Sequence, residues 1–275
     1  MREVAVITGT THGIGTVTSL ELARAGHPVL MLCRDPAAGE RVRAAMLREI
    51  PDASVLVVRC DLASLASVRE CAARVRGECE RIGLLINNAG IASVGHRTSV
   101  DGFELTFATN HLGPFLLTAL LLDRLGVAAR VVSVSSRVHY GAQLELDQMV
   151  SPARYRAQQA YARSKLANVV HTFALARRLA GSGRTANCLH PGVVATNLLP
   201  RWLQLIRPLI RRPIFDAERG ARTTLYLALA PQLAQVSGAY FDEHQRPQRA
   251  DAAAYDITLQ EQLWEASAQW VGLAG

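Results

Sequence analysis

Tyr161-Ala-Arg-Ser-Lys165 sets a phenol and an ammonium four residues apart. On a helix that spacing puts both on one face, pointing into the same space. A phenol with a pKa near 10 exchanges protons poorly at neutral pH. A neighbouring ammonium stabilises the phenolate and lowers that value. Lys165 is the only lysine of the chain; the rest of its 30 basic residues are arginine. A guanidinium differs from an ammonium in shape and reach. A position that keeps lysine in so arginine-rich a chain is therefore a candidate for chemistry. Tyr140 and Tyr155 compete by position, but Leu144 and Gln159 stand four residues beyond them. Neither can do the lysine's work.

Other polar residues fall where a ligand is expected. Ser135 and Ser136 end the strand-like run Arg130–Val134, and the carboxyl ends of parallel strands are where ligands bind. A serine there can donate to a carbonyl oxygen. Asn110 interrupts a helical pattern; it either points to solvent or holds a water that relays protons. Near the start, Thr8-Gly9-Thr-Thr-His-Gly13-Ile-Gly15 joins a strand to a helix. Such glycines let the backbone approach a pyrophosphate that the helix N-terminus attracts. His12 reads as a solvent-facing loop residue. The second strand ends in Cys33-Arg34-Asp35, where an acid would bind the ribose hydroxyls of NAD. Arg34 instead pairs either with a 2′-phosphate or with Asp35. Asp61, after the third strand, either accepts from an adenine amine or caps the next helix.

These residues need a scaffold, and the chain alternates short apolar runs with helical patterns. Strands are expected at Val4–Ile7, Val29–Cys33, Ser54–Arg59, Leu84–Ile86, Arg130–Val134, Thr185–Leu189 and Gly238–Phe241. Helices are expected at Ile14–Ala25, Ala37–Glu49, Leu65–Glu80, Asp101–Leu125, Tyr161–Ala180 and Ala217–Ala230. Apolar strands separated by long helices predict a single doubly wound α/β (Rossmann) domain over 1–275, its mostly parallel sheet seven-stranded. The tail after Asp251 is expected to pack on the body through Trp264 and Trp270.

Composition narrows the classes. The chain has 275 residues, 49% of them hydrophobic and 19% charged, which suits one large core and not disorder. No run of apolar residues is long enough for a membrane span or a signal peptide, so a cytoplasmic location is expected. The net charge of +7 reads as a solvated basic surface. No nucleic-acid-binding module accompanies it. The five cysteines and eight histidines show no metal spacing, so no metal is expected and the thiols read as reduced and buried.

Taken in order, Thr8-Gly9-x3-Gly13-x-Gly15, Asn87-Asn88-Ala89-Gly90, Asn110, Val134-Ser-Ser136, Tyr161-x3-Lys165 and Pro191-Gly192 resemble the short-chain dehydrogenases/reductases over roughly Val4 to Phe241. Cys33-Arg-Asp35, Asn110-His-Leu-Gly113, the gap from Ser136 to Tyr161 and Ala221-Arg-Thr-Thr-Leu-Tyr226 resemble its retinol-dehydrogenase-like branch. The resemblance implies an NADP(H)-dependent oxidoreductase that interconverts a carbonyl and an alcohol on a lipophilic small molecule. It implies that Ser136 orients the substrate, Tyr161 transfers the proton, Lys165 also binds the nicotinamide ribose, and Asn110 completes a catalytic tetrad. The implied cofactor set is Gly9, Thr11, His12, Gly13, Ile14 and Gly15 in the first turn; Arg34, Asp61 and Leu62; Asn88, Ala89 and Gly90; Tyr161 and Lys165; and Pro191, Gly192, Val193 and Thr196. A homodimer or homotetramer is compatible with it, through the helices holding Asn110 and Tyr161. Many members of the branch carry an N-terminal membrane anchor, and none is expected here. Reduction of a carbon–carbon double bond, as in protochlorophyllide reductase, is an alternative, as is a regulator that binds NADPH without turnover.

The segment 197–215 mixes bulky apolar residues with arginines, and Pro208 and Pro213 break it into short pieces. The resemblance implies a lid here, with Trp202, Leu203 and Ile206 expected to face the substrate. A surface helix packed on the sheet and a contact with anionic membrane are the other two readings.

Overall fold

The computed structural model describes residues 3–150, 152, 154–192 and 216–273. Val193, Thr196 and the expected lid, with Trp202, Leu203 and Ile206, lie outside them. The strands are β1 (Val4–Thr8), β2 (Val29–Cys33), β3 (Val55–Arg59), β4 (Ile82–Asn87), β5 (Leu125–Val134), β6 (Thr185–Leu189), β7 (Tyr240–Phe241) and β8 (Pro247–Gln248). They form one sheet in the order β3-β2-β1-β4-β5-β6-β7-β8. Every neighbouring pair is parallel except β7 and β8. The seven expected strands are thus present. The two-residue β8 is an antiparallel addition whose brevity leaves no pattern to read.

Helices α1 (Gly13–Arg24), α2 (Pro36–Glu49) and α8 (Ala217–Leu229) cover one face of the sheet. Helices α3 (Leu65–Glu78), α5 (Gly113–Leu121), α7 (Ala157–Arg178) and α9 (Ile257–Trp270) cover the other. Successive strand residues divide between the two cores: Val6, Leu30 and Leu85 go to one, Ile7, Met31 and Ile86 to the other. This is why the strands read as unbroken apolar runs rather than alternating ones. Side-chain caps start several helices. Asp35 accepts from Ala38 N, Ser64 from Ser67 N, Asp216 from Arg219 N and Asp256 from Thr258 N.

The expected helix at Asp101–Leu125 is broken up. The carboxylate of Glu104 accepts from Thr106 N and Phe107 N, so the chain becomes helical only at α4 (Leu105–Phe107). A π-helical turn follows over Ala108–Leu112, then α5. Pro114 explains the widening. It has no N–H to offer Asn110 O four residues back, and its ring crowds that carbonyl. The segment Leu105–Arg124 is apolar and long enough to cross a membrane, and 72% of an 18-residue window of it is buried inside the protein. Leu146–Val150 forms the short helix α6.

The C-terminal helix packs on α7 and α5 as expected. Trp264 stacks on His171 at 5.3 Å and meets Phe115 edge-on, and Trp270 meets Phe107. Arg178 lies 4.0 Å over the Trp264 ring and, like Arg177, pairs with Glu261. The helices that hold Asn110 and Tyr161 are thus partly covered by their own chain.

Candidate active site

A cavity of about 910 Å³ runs along the carboxyl edge of the sheet. Its first half is formed by the ends of β1, β2, β3 and β4. Gly9 turns the chain out of β1 at φ +72°, a conformation that suits glycine. At Gly15 a Cβ would stand 2.1 Å from Gly9 O, so any side chain there would collide with backbone. Asn88 pins this turn, its Nδ2 donating to Thr8 O at 2.8 Å and to Gly9 O at 3.2 Å. Thr8 Oγ1 in turn accepts from Asn88 N and Ala89 N. Helix α1 begins beside this cradle with no side-chain cap and no acid in its first turn. Its N–H groups and dipole are left for an anion. Backbone close to the cavity and a helix start without a side-chain cap fit the pyrophosphate of a dinucleotide.

Arg34, at the end of β2, is exposed and lines the cavity. Of its two expected roles, pairing with Asp35 is not observed, because Asp35 caps α2 and Arg34 makes no ion pair among the described residues. Asp61 lines the cavity next to Leu62 and does not cap the following helix; Ser64 does that. Its Oδ1 instead accepts from Ala63 N in a tight turn. Thr11, the exposed His12, Ile14 and Gly90 are also on the cavity wall, whereas Gly13 is not.

The second half of the cavity holds the reactive groups. At the end of β5 the two serines divide. Ser135 is buried and donates to Lys165 O at 2.8 Å, holding α7 to the sheet. Ser136 stands half-buried on the cavity beside Tyr161. His139 steadies this corner. Asp251 N donates to its Nε2 at 3.2 Å, so Nδ1 carries the proton and donates to Ser136 O at 2.7 Å. Helix α7 starts at Ala157, four residues before Tyr161, so the phenol and ammonium sit on its second and third turns. Lys165 Nζ donates to Val134 O at 2.9 Å and lies 5.6 Å from the centre of the Tyr161 ring. At 3% exposure the lysine is desolvated, which pushes its pKa down to about 8.

The expected fall in the Tyr161 pKa is not the direction found. Burial raises the phenol, and the Ser136 hydroxyl opposes that rise. Nor does Asn110 point to solvent: it is 0% exposed. Its Oδ1 accepts from Ile91 N at 2.7 Å, while Nδ2 donates to Ile91 O and to Ser164 Oγ, both at 2.9 Å. Ser164 Oγ donates on to Tyr161 O. Asn110 therefore ties the loop after β4 to the helix that carries the phenol. It sits just behind the wall, since a Cβ on Gly90 would lie 3.4 Å from Asn110 Oδ1 and 3.2 Å from Lys165 Nζ.

Pro191 and Gly192 close the cavity after β6. Three residues not singled out from sequence join them: Arg137, His190 and Glu243. His190 directly precedes Pro191-Gly192 at a strand end, a position that could have flagged it. Glu243 follows the short β7 and carries no local signature.

The short chain dehydrogenase family model matches residues 3–204. Human retinol dehydrogenase 13 is 41% identical over 98% of this chain and 85% of its own. Human polyprenol dehydrogenase is 39% identical over 98% and 85%. A solved structure of a putative uncharacterized protein from Mycobacterium paratuberculosis is 36% identical, with a TM-score of 0.82 over 98% of this chain and 94% of that one. With the glycine cradle, the Ser136, Tyr161 and Lys165 corner and the doubly wound sheet, these likenesses place the chain in the short-chain dehydrogenase/reductase family of oxidoreductases, in its retinol-dehydrogenase-like branch.

Proposed function

We propose that the protein interconverts a carbonyl and an alcohol on a lipophilic small molecule, with NADP(H) as the hydride carrier. The observation that carries the reading is the meeting of Ser136, Tyr161 and the single, buried Lys165 on one cavity where β2 ends in Cys33, followed by Arg34. When bound, the nicotinamide supplies or takes the hydride. The residues do the rest. Ser136 donates to the substrate oxygen and holds it beside the phenol. Tyr161 gives that oxygen its proton in reduction and removes it in oxidation. Lys165 stabilises the phenolate left behind, and its low pKa lets it pass the proton on. Asn110 holds the Ile91 backbone and the Tyr161 turn in register. A hydroxyl donor at Ser136 serves a carbonyl oxygen; an isolated carbon–carbon double bond offers it no acceptor.

Arg34 supports NADP(H), because a guanidinium makes a charge-assisted pair with a 2′-phosphate, while the neighbouring Asp35 carboxylate is engaged in capping α2. The retinol and polyprenol in the relatives' names are long apolar alcohols, and Ile91, Ala92 and Leu105 give this cavity an apolar wall. The proposal includes a cytoplasmic location, to be checked by cell fractionation. The activity is tested with a panel of aldehydes, ketones and alcohols, following NADPH absorbance against an NADH control. No turnover across lipophilic carbonyls and alcohols would refute it.

A further inference from the structure

Beyond Ser136 and Tyr161, the cavity presents polar groups for which the carbonyl reaction has no task. His190 directly follows β6, its backbone N–H donating to Phe241 O at 2.9 Å. Its side chain lies on the cavity wall, 6% exposed, and its Nδ1 is buried with no hydrogen-bond partner among the described residues. A buried polar group left this way is costly, and buried groups in folded proteins are ordinarily paired. Burial holds the ring neutral, with its pKa pushed down to about 4. It therefore keeps one donor and one acceptor.

Glu243 reaches the same wall from the turn between β7 and β8. That turn is braced. Asp242 accepts from His244 N at 2.8 Å, Arg246 N at 3.0 Å and Gln248 Nε2 at 2.9 Å, while Thr223 Oγ1 donates to Asp242 O. The Glu243 side chain is 13% exposed; Arg137 Nη2 donates to its Oε2 at 3.5 Å, and His244 Nε2 stands 3.9 Å from its Oε1. Its carboxylate has acceptor capacity to spare.

We propose that His190 and Glu243 form a polar subsite that takes a hydroxyl group of the substrate, separate from the carbonyl oxygen held at Ser136. The hydroxyl donates to Glu243 and accepts from His190, using the donor and acceptor that each side leaves open. A cationic group is disfavoured because Arg137 already offsets the carboxylate, and an anion is disfavoured by Glu243 itself. The substrate class is then a hydroxylated ketone or aldehyde, or the matching diol, with its apolar part along Ile91, Ala92 and Leu105. The assignment rests on the carbonyl–alcohol reading, and its test separates the two.

The probes are straight-chain methyl ketones with a hydroxyl moved stepwise along the chain, each set against the unsubstituted ketone of equal length. At one hydroxyl position the wild type should show kcat/KM at least about tenfold higher than for the plain ketone, with most of the gain in KM. Glu243→Leu and His190→Phe, on separate segments of the chain, should each bring that ratio close to one. Glu243→Gln, which keeps a carbonyl acceptor, should retain part of it. Dissociation constants of the same ketones from the protein–NADP⁺ complex, read by calorimetry, give the ratio without turnover. Ketones reduced with no hydroxyl preference at any position, or a preference that survives both Glu243→Leu and His190→Phe, would overturn the subsite and leave the reaction standing. Hydroxyl-dependent binding that the variants abolish, with no ketone reduced, would uphold the subsite and refute the reaction. Absence of both turnover and binding would overturn both.

Discussion

The two ends of the cavity are built from different material. The half formed by β1 to β4 is mostly backbone: the turn at Gly9, the close approach at Gly15, the uncapped start of α1 and the pinning amide of Asn88. The half formed by β5 to β7 is mostly side chains, and these come from distant parts of the chain: Ser136, Tyr161, Lys165, His190 and Glu243. A backbone site suits a ligand part that never varies, a pyrophosphate. A side-chain site can be altered one residue at a time without unmaking the fold, so chemistry and specificity sit there.

The contrast can be broken at several points. Tyr161→Phe should act only on the side-chain half. The ring keeps its packing but loses its proton, so turnover should fall by ~10²–10⁴-fold. Calorimetry should show NADPH binding nearly unchanged; a variant with near-normal kcat would remove Tyr161 from the chemistry. Gly15→Ala should do the reverse. Its Cβ would press on Gly9 O, so NADPH affinity and melting temperature should both fall, and titration with thermal denaturation checks this. Retained wild-type affinity would show that the cradle does not hold the cofactor.

Smaller effects sharpen the boundary between the halves. Arg34→Ala should raise the KM for NADPH far more than for NADH, since a charge-assisted contact contributes ~1.5–3 kcal/mol, roughly ten- to a hundredfold. Equal effects on the two cofactors would free Arg34 from the phosphate. Lys165→Arg should lower turnover and cost ~1–3 kcal/mol of stability, because a larger forked group must enter a site already closed by Gly90 and Val134. Wild-type rate and melting temperature would make the lone lysine an accident of composition. The mildest test is acid. His190 is held neutral down to about pH 4, whereas the unfolded chain protonates its histidines near 6.5. As pH falls from about 6.5 towards 4 the unfolded state binds the extra proton, so stability declines. His190→Asn should lessen that decline in thermal melts recorded against pH, leaving the shares of His171, His111 and His139, whose pKa values burial also lowers.

Sequence alone determined what is local. The strand order along the chain, the glycine cradle, the Tyr161–Lys165 spacing and Ser136 were legible because each depends on a few consecutive residues with one periodicity. Thr185–Leu189 and Val29–Cys33 were placed to the residue for that reason. What needed the tertiary structure was whatever depends on a partner far along the chain. Asn110 read either as a solvent-facing helix residue or as one that holds a water, and the first reading fell when Ile91 and Ser164 closed around it. Asp61 lost its helix to Ser64, and Asp35 was committed to a cap and not to Arg34. The Tyr161 phenol was expected to fall under the lysine's charge, and burial by surrounding elements decided the opposite direction. His190 and Glu243 meet only because β6 and β7 lie side by side. Periodicity records which face a residue occupies; it does not record which other face arrives to meet it, and hydrogen bonding and desolvation act at that meeting.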